Sequence, residues 1–323
     1  ARQIANGLKS HASITTAGDI AMGVALDEPP IGYRLQNFKD AKPVMASLLS
    51  GSTVRVSGEN IFDINSSPSA EITLVVSEAP MIGDEMTLVY HPQKYALGLG
   101  CARGCSIDEM WDLVSKCLLD SNIAAGSISS IGSLDLKGDE PAMIETATRL
   151  GVPFRLFEAN ELESLTPKLA NPSEVVFAEV GCHGVSEAAA LALSGGSLVV
   201  EKKKTANATC AIAKSDNVII EMNGRSRGKL SIIGIGPGQH SWRTPEASAL
   251  VAEAEELVGY GLYIDILGPL AVGKDRSDFP LGGEEARCRY ALEQAGKGKN
   301  VALICSGDAG IYAMGALVFE LLD

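Results

Sequence analysis

The chain has 323 residues, 46% of them hydrophobic, with 34 glycines and only 5% aromatics. That length suits about two domains, and the composition suits buried strands joined by glycine turns to alanine-rich helices. A net charge of −13 argues against general affinity for nucleic acid or anionic membrane, while leaving room for a local basic pocket. No apolar run approaches the ~20 residues of a bilayer span and no signal-like segment opens the chain, so a cytoplasmic protein is expected. The seven cysteines are odd in number and scattered, as expected of reduced core thiols. Cys101 and Cys105 have no matching Cys or His pair at ligand spacing, so no metal centre is expected.

In chain order, the opening run ARQIANGLKS and the closing run LVFELLD both read as helix, as in a piece cut from a longer polypeptide. Residues 12–15 read as strand, DAKPVMASLLSG as a helix closed by Gly51, and TVRVSG, EITLVVSE and MTLVYHP as strands, making a first region over 1–95. YALGLG then enters a glycine turn. Behind it Ile107, Met110, Trp111, Val114 and Leu118 recur at helical spacing, with Ser106 as N-cap and Glu109 as its capping-box partner. Strands GSISSIGSLD, PFRLFEA and VVFAEVG alternate with helices EPAMIETATRLG, ANELESLTPKLA and VSEAAALALSGG. Strands LVVEKKK and ATCAIAKS close a β/α domain over 96–220. After a polar linker at 221–229, a further β/α domain covers 230–323: strand, helix, strand ELVGYGLYIDIL, loop, helix, strand NVALICSGD, helix. The fold class expected is α/β, with two or three β/α domains.

Several turns carry residues suited to chemistry. In SIIGIGPGQHSWRTPEASAL, Gly234 and Gly236 match the start of a dinucleotide fingerprint. Gln239 holds the position of its last glycine, Pro237 removes an amide that would cradle phosphate, and the helix waits for Thr244 as N-cap with Pro245 behind it. A nucleotide-binding oxidoreductase is thereby disfavoured. In ICSGDAGIYAMG, Ser306, Gly307, Asp308 and Gly310 sit at the carboxyl end of a buried strand, where ligands collect in open α/β sheets. Asp308 can accept a hydrogen bond there, and the glycines admit a ligand to the backbone. Earlier, Arg103 lies at a helix start in GLGCARGCS, suited either to a carboxylate or to a structural turn. LDLKGDE gathers Asp135, Lys137, Asp139 and Glu140. VGCHGVSEAAA opens a helix at Ser186 with Glu187 in its first turn, and EKKKT concentrates Lys202, Lys203 and Lys204.

GIGPG, the Thr-Pro-x-Ala helix start, VGY..YID, the E..R helix and SGDAGIY.M, in this order over Leu230 to Asp323, resemble the tetrapyrrole methyltransferase family, and look most like its precorrin-3B C(17)-methyltransferases. The resemblance implies the amino-terminal domain of that fold, S-adenosyl-L-methionine as methyl donor, and a homodimer through this part as an option. It places Gly234, Gly236, Pro237 and Gly238 at the tetrapyrrole cleft. Ser306, Gly307, Asp308, Ala309, Gly310 and Ile311 fall against the methionine part of the cofactor. The family's second domain completes the adenosine pocket and lies outside these 323 residues, so no methyl transfer is expected from this chain alone.

Residues 96–213 carry G.G..RG.S, S.D.K.DE, VG...V.EAAAL and a lysine strand followed by T.A.A. They resemble the carboxyl-terminal domain of cobalt-precorrin-5A hydrolases and their relative in the aerobic route; ITTAGD, with Thr15, Thr16 and Asp19, resembles the middle region. The reaction implied opens a δ-lactone on the corrin ring and releases acetaldehyde. Water attack wants a general base, Glu140 or Glu187, and a cation at the oxyanion, Lys137 or Lys203, with Lys137 and Glu140 preferred. Arg103, Lys202, Lys203 and Lys204 would anchor a polycarboxylate tetrapyrrole. The chain thus reads as a cobalamin-biosynthesis fusion, with a non-catalytic tetrapyrrole carrier as the alternative for its first part.

Overall fold

The computed structural model describes residues 23–311 and 313–322; the expected strand at 12–15 and the loop of Thr15, Thr16 and Asp19 lie outside the described residues. The described residues divide into two compact units, 23–224 and 225–322. Among the described residues no single helix is long and apolar enough to cross a membrane.

The first unit holds two sheets. One contains β1 (Tyr33–Leu35), β2 (Val54–Ser57), β3 (Ile72–Val76) and β4 (Thr87–Pro92), with α1 (Ala41–Leu49) between β1 and β2 in sequence. The strand order is β1-β4-β3-β2, with β2, β3 and β4 parallel and β1 antiparallel to β4. Leu26, Val44, Ile72, Leu88 and Tyr90 form its core. Tyr90 is tolerated there because its hydroxyl donates to the Leu26 carbonyl at 2.8 Å.

The second sheet is the platform for the first candidate site. Its elements are β5 (Tyr95–Cys101), α2 (Ile107–Asp120), β6 (Ile128–Leu134), α3 (Pro141–Leu150), β7 (Phe154–Phe157), α4 (Ala159–Glu163), α5 (Glu174–Val180), α6 (Val185–Ser194), β8 (Ser197–Lys204) and β9 (Ala208–Lys214). Within the unit the strands run β7-β6-β5-β9-β8. β5, β6 and β7 are parallel, and β9 and β8 are added antiparallel. Met110 and Val114 of α2 and Met143 of α3 pack on Leu97, Leu99 and Ile131 on one face. On the other, Ala188 and Ala189 of α6 and Leu162 of α4 pack on Ala96, Leu134 and Phe157. The alanine run and the strand glycines are one device: a Cβ on Gly98 would run into the Ser186 carbonyl oxygen, so helix and strand meet backbone to backbone.

Three local expectations are corrected here. VVFAEVG is helix α5, not strand: the Ser173 hydroxyl caps it by accepting from the Val176 amide at 3.4 Å, and Gly181 ends it at φ +77. Caps at both ends override the β-branched pattern. Helix α6 starts at Val185 behind Gly184, so Ser186 is a buried second-position residue and not the cap. Ser106 holds the N-cap position of α2 without a side-chain cap bond. Its supposed partner Glu109 instead accepts from the Thr205 hydroxyl, the Asn207 amide and the Asn207 side chain at 2.5, 2.8 and 3.0 Å, tying the β8–β9 hairpin to α2.

The second unit begins with β10 (Arg225–Ser226). It continues through β11 (Lys229–Gly234), α7 (Pro245–Glu253), β12 (Glu256–Tyr260), α8 (Gly261–Ile266), β13 (Asp275–Phe279), α9 (Glu284–Gly296), β14 (Asn300–Cys305) and α10 (Met314–Glu320). Its sheet has order β11-β14-β12-β13, all parallel. α7 and α8 pack on one face and α9 and α10 on the other. Thr244 is the N-cap of α7, accepting from the Ala247 amide at 3.1 Å, with Pro245 at the first position. The long strand expected from Glu256 stops at Tyr260 and turns into α8, and the expected loop contains β13. β13 reads DRSDF with no buried residue, as polar edge strands do. The whole is α/β, as expected.

Candidate functional site

Strands β5 and β6 both end at the same sheet edge, and the loops that follow bring Arg103 and the 135–140 segment together. The Arg103 guanidinium meets Asp139 at 2.5 Å and Glu140 at 3.1 Å, and donates to the Leu136 carbonyl at 2.8 Å. Lys137 lies 3.4 Å from the same Glu140 oxygen, while the other oxygen accepts from the Gly104 amide at 3.1 Å. Glu140 is 1% exposed and Arg103 60%: a buried carboxylate holds two cations at the rim. The Arg103 hydrogen bond keeps the Asp139 carboxyl below its ordinary range. Burial, and then the Glu140 charge, push the neighbouring Cys101 thiol up to about 12, so it is no nucleophile near neutral pH. Both Glu140 oxygens are thus engaged by donors, one by Arg103 and Lys137 and the other by the Gly104 amide.

Glu187 is committed more completely. One oxygen accepts from the Ala170 and Asn171 amides at 2.9 Å each, and the other from the Asn171 side chain at 2.8 Å and the Lys202 amide at 2.9 Å. Burial pushes its pKa up, but these donors outweigh burial and hold it below the usual range. Its four accepted bonds clasp residues 170, 171 and 202 together. Lys202 belongs to the same clasp, its ammonium donating to the Asn171 carbonyl at 2.8 Å. The three lysines therefore do not form one patch. Lys203 and Lys204 instead line a cleft of about 590 Å³ between α2 and β8, with Lys116, Glu109, Asp112 and Cys117.

His183 was not among the expected site residues. Its Nδ1 lies 2.9 and 3.0 Å from the two oxygens of Glu163, which also accept from the His183 amide and the Thr166 hydroxyl at 2.9 Å each. Phe177 stacks on the ring at 4.4 Å and 22°. Glu163 raises the histidine pKa, and its own is lowered in return. Only the spacing Glu163…His183 across two helices could have signalled the pair, and no local pattern encodes it.

In the second unit the two glycine turns form a single feature. Gly236 and Gly307 exchange amide-to-carbonyl bonds at 3.0 and 2.9 Å, and a Cβ on Gly234 would meet the Gly307 carbonyl oxygen. Gly236, Gly238 and Gly307 have φ of +63, +100 and +66, where glycine is favoured. Pro237 lies between two of them, and a Cβ on Gly238 would approach Ile266 of α8 at 3.4 Å. Asp308 Oδ1 accepts from the Gly310 and Ile311 amides at 2.7 and 3.1 Å, shaping the turn. Ser306, Gly307, Asp308, Gly310 and Ile311 are exposed and Ala309 half-buried.

Cations and glycine turns at the carboxyl ends of parallel strands lie where ligands collect in open α/β proteins, the class to which this fold belongs. Comparison with known proteins is more specific. Residues 95–213 match the family described as Cobalamin synthesis G C-terminus, and residues 229–323 the Tetrapyrrole (Corrin/Porphyrin) Methylases. Over 119 residues the chain is 43% identical to Protein CobE of Sinorhizobium sp, covering 36% of this chain and 77% of that protein. Over 240 residues it is 30% identical to the cobalt-precorrin-5A hydrolase of Priestia megaterium, covering 66% and 64%. Over 94 residues it is 45% identical to the probable cobalt-factor III C(17)-methyltransferase of Salmonella typhimurium, covering 29% and 39%. The chain belongs to the cobalamin synthesis G C-terminal family, joined to a tetrapyrrole methylase segment. It spans 77% of the first relative but less than two thirds of the other two.

Proposed function

We propose that the chain acts in cobalamin biosynthesis on a polycarboxylate tetrapyrrole. Its first unit opens a ring δ-lactone with release of acetaldehyde, and its second contributes to a precorrin C(17)-methylation site. The reading is carried by the Arg103–Lys137–Glu140 cluster at the β5–β6 edge, inside the segment shared with the relatives. Arg103 suits a peripheral carboxylate, and Lys137 suits the oxyanion that forms when a lactone carbonyl is attacked. Glu140 keeps both cations aimed at the rim. Lys203 and Lys204 add a second anchoring point at the α2–β8 cleft.

For the second unit, the open backbone of Ser306 to Ile311 and the remaining oxygen of Asp308 fit the amino-acid end of S-adenosyl-L-methionine, with Gly234 to Gly238 along the tetrapyrrole side. The cofactor supplies a methyl group on sulfonium. The chain's own part is to orient that end through backbone groups and one carboxylate oxygen.

The commitment of Glu140 and Glu187 to structural donors favours a second reading, in which the first unit only binds and carries the tetrapyrrole. Incubating the full chain with a lactone-bearing cobalt-precorrin separates the two. Acetaldehyde trapped in step with a visible-band change is expected for the hydrolase. A band shift without aldehyde would mean a carrier, and neither signal would defeat both readings.

A further inference from the structure

The Glu163–His183 pair has no part in the reading above, and neither carboxylate of the expected base role is free. We infer that His183, oriented by Glu163, is the general base that activates water for lactone opening, an assignment that rests on the hydrolase reading of the first unit.

The geometry supports each requirement of a base. Both Glu163 oxygens face Nδ1, so the neutral ring carries its proton there and leaves the Nε2 lone pair outward. Glu163 is itself fixed by the His183 amide and the Thr166 hydroxyl, and Phe177 stacks on the ring, so the imidazole is held in one orientation. Among the described residues, the charged group facing Nε2 is the Glu174 carboxylate of α5, at 3.6 Å and 90% exposed. That is too long for a hydrogen bond, and the exposed side chain can be displaced by a ligand. Glu163 from α4 and Glu174 from α5 are the charged groups facing the ring, with Cys182 buried beside it.

The chain neighbours of His183 connect it to the same strands. Cys182 packs with Leu134 and Phe157, the last residues of β6 and β7, while Arg103 reaches the Leu136 carbonyl two residues beyond β6. The proposal therefore places one substrate across the carboxyl end of β6, within reach of the imidazole and of the cations. In the step, water oxygen bonds to the lactone carbonyl carbon as Nε2 takes one of its protons. The tetrahedral intermediate collapses with cleavage of the ring carbon–oxygen bond, and the departing oxygen takes the proton back from Nε2. The sum is one water added, giving a carboxyl and a hydroxyl group.

The test uses the full chain and His183→Asn, whose side-chain amide can keep the Nδ1 bond to Glu163 while removing Nε2. We expect lactone opening to fall about 100-fold or more, with tetrapyrrole binding in a visible titration and Tm both unchanged. Opening requires neutral His183, so the rate is lost as pH falls through its raised pKa. Glu163→Gln is expected to move that acid limb downward. A His183→Asn rate within about threefold of wild type, or an acid limb indifferent to Glu163→Gln, overturns the assignment alone. A wild type that binds tetrapyrrole and opens no lactone overturns the hydrolase reading and the assignment with it.

Discussion

Glu187 shows what a buried carboxylate costs to disturb. It is 1% exposed and accepts four hydrogen bonds from residues 170, 171 and 202. Glu187→Gln replaces one acceptor oxygen with a donor facing donors, and is expected to lower stability by about 2–4 kcal/mol at pH 7. The sign of the pH dependence follows from its depressed folded-state pKa. Its contribution is fully present above the unfolded value of ~4.3 and is lost as pH falls through the folded value. Urea unfolding should therefore show the wild type and Glu187→Gln converging below about pH 4. A gap that stays constant with pH would assign the stabilisation to shape and not to charge. Cys101 makes a milder point at the same scale. Its thiol is raised to about 12, so thiol reagents at pH 8 should leave lactone opening unaffected at this position.

At the scale of elements, the seating of α6 on β5 is the joint on which the edge geometry depends. Gly98→Ala would force a methyl group into the Ser186 carbonyl, and the helix would have to lift. A loss of about 3 kcal/mol or more is expected, enough to impair soluble expression. Gly104→Ala is the control: its φ is +73 but nothing among the described residues lies within 4 Å of the added carbon, so only backbone strain of about 1–2 kcal/mol applies. Thermal denaturation that ranked the two the other way would mean that α6 can shift freely. Much of this layer was legible beforehand. Strands β5, β9, β11 and β14 are largely apolar runs ended by glycine or polar turns, and α7 is announced by Thr244 and Pro245. What escaped had physical reasons. β13 is an edge strand whose DRSDF presents polar groups to solvent. α5 is set by its caps at Ser173 and Gly181 against the preference of Val175 and Val176. Glu109 found better donors across the hairpin than at its own helix start.

At the scale of the molecule, a chain of net charge −13 that takes the polycarboxylate proposed above must overcome long-range repulsion before local cations act. The Debye length falls to about 8 Å at physiological ionic strength, so added salt screens the distant charges more than the contacts at Arg103 and Lys137. Stopped-flow binding of a tetrapyrrole is expected to show an association rate that rises several-fold between 10 and 150 mM NaCl. Arg103→Ala should mainly speed dissociation. An association rate that falls with salt would show that the cationic rim steers the ligand from afar, against the net charge.

The sequence by itself determined the order of the two β/α segments, the glycine turns at their strand ends, and the motif series that the comparisons bear out as a cobalamin-biosynthesis fusion, because these are local patterns of residue type and spacing. Only the tertiary structure decided which charged side chains are spent and which remain. Glu140 is claimed by Arg103 and Gly104, Glu187 by residues 170, 171 and 202, and Glu163 by His183. Each of those partnerships joins segments distant in sequence. Whether a carboxylate is a base or a clasp depends on the donors the fold brings to it, and no local pattern contains them.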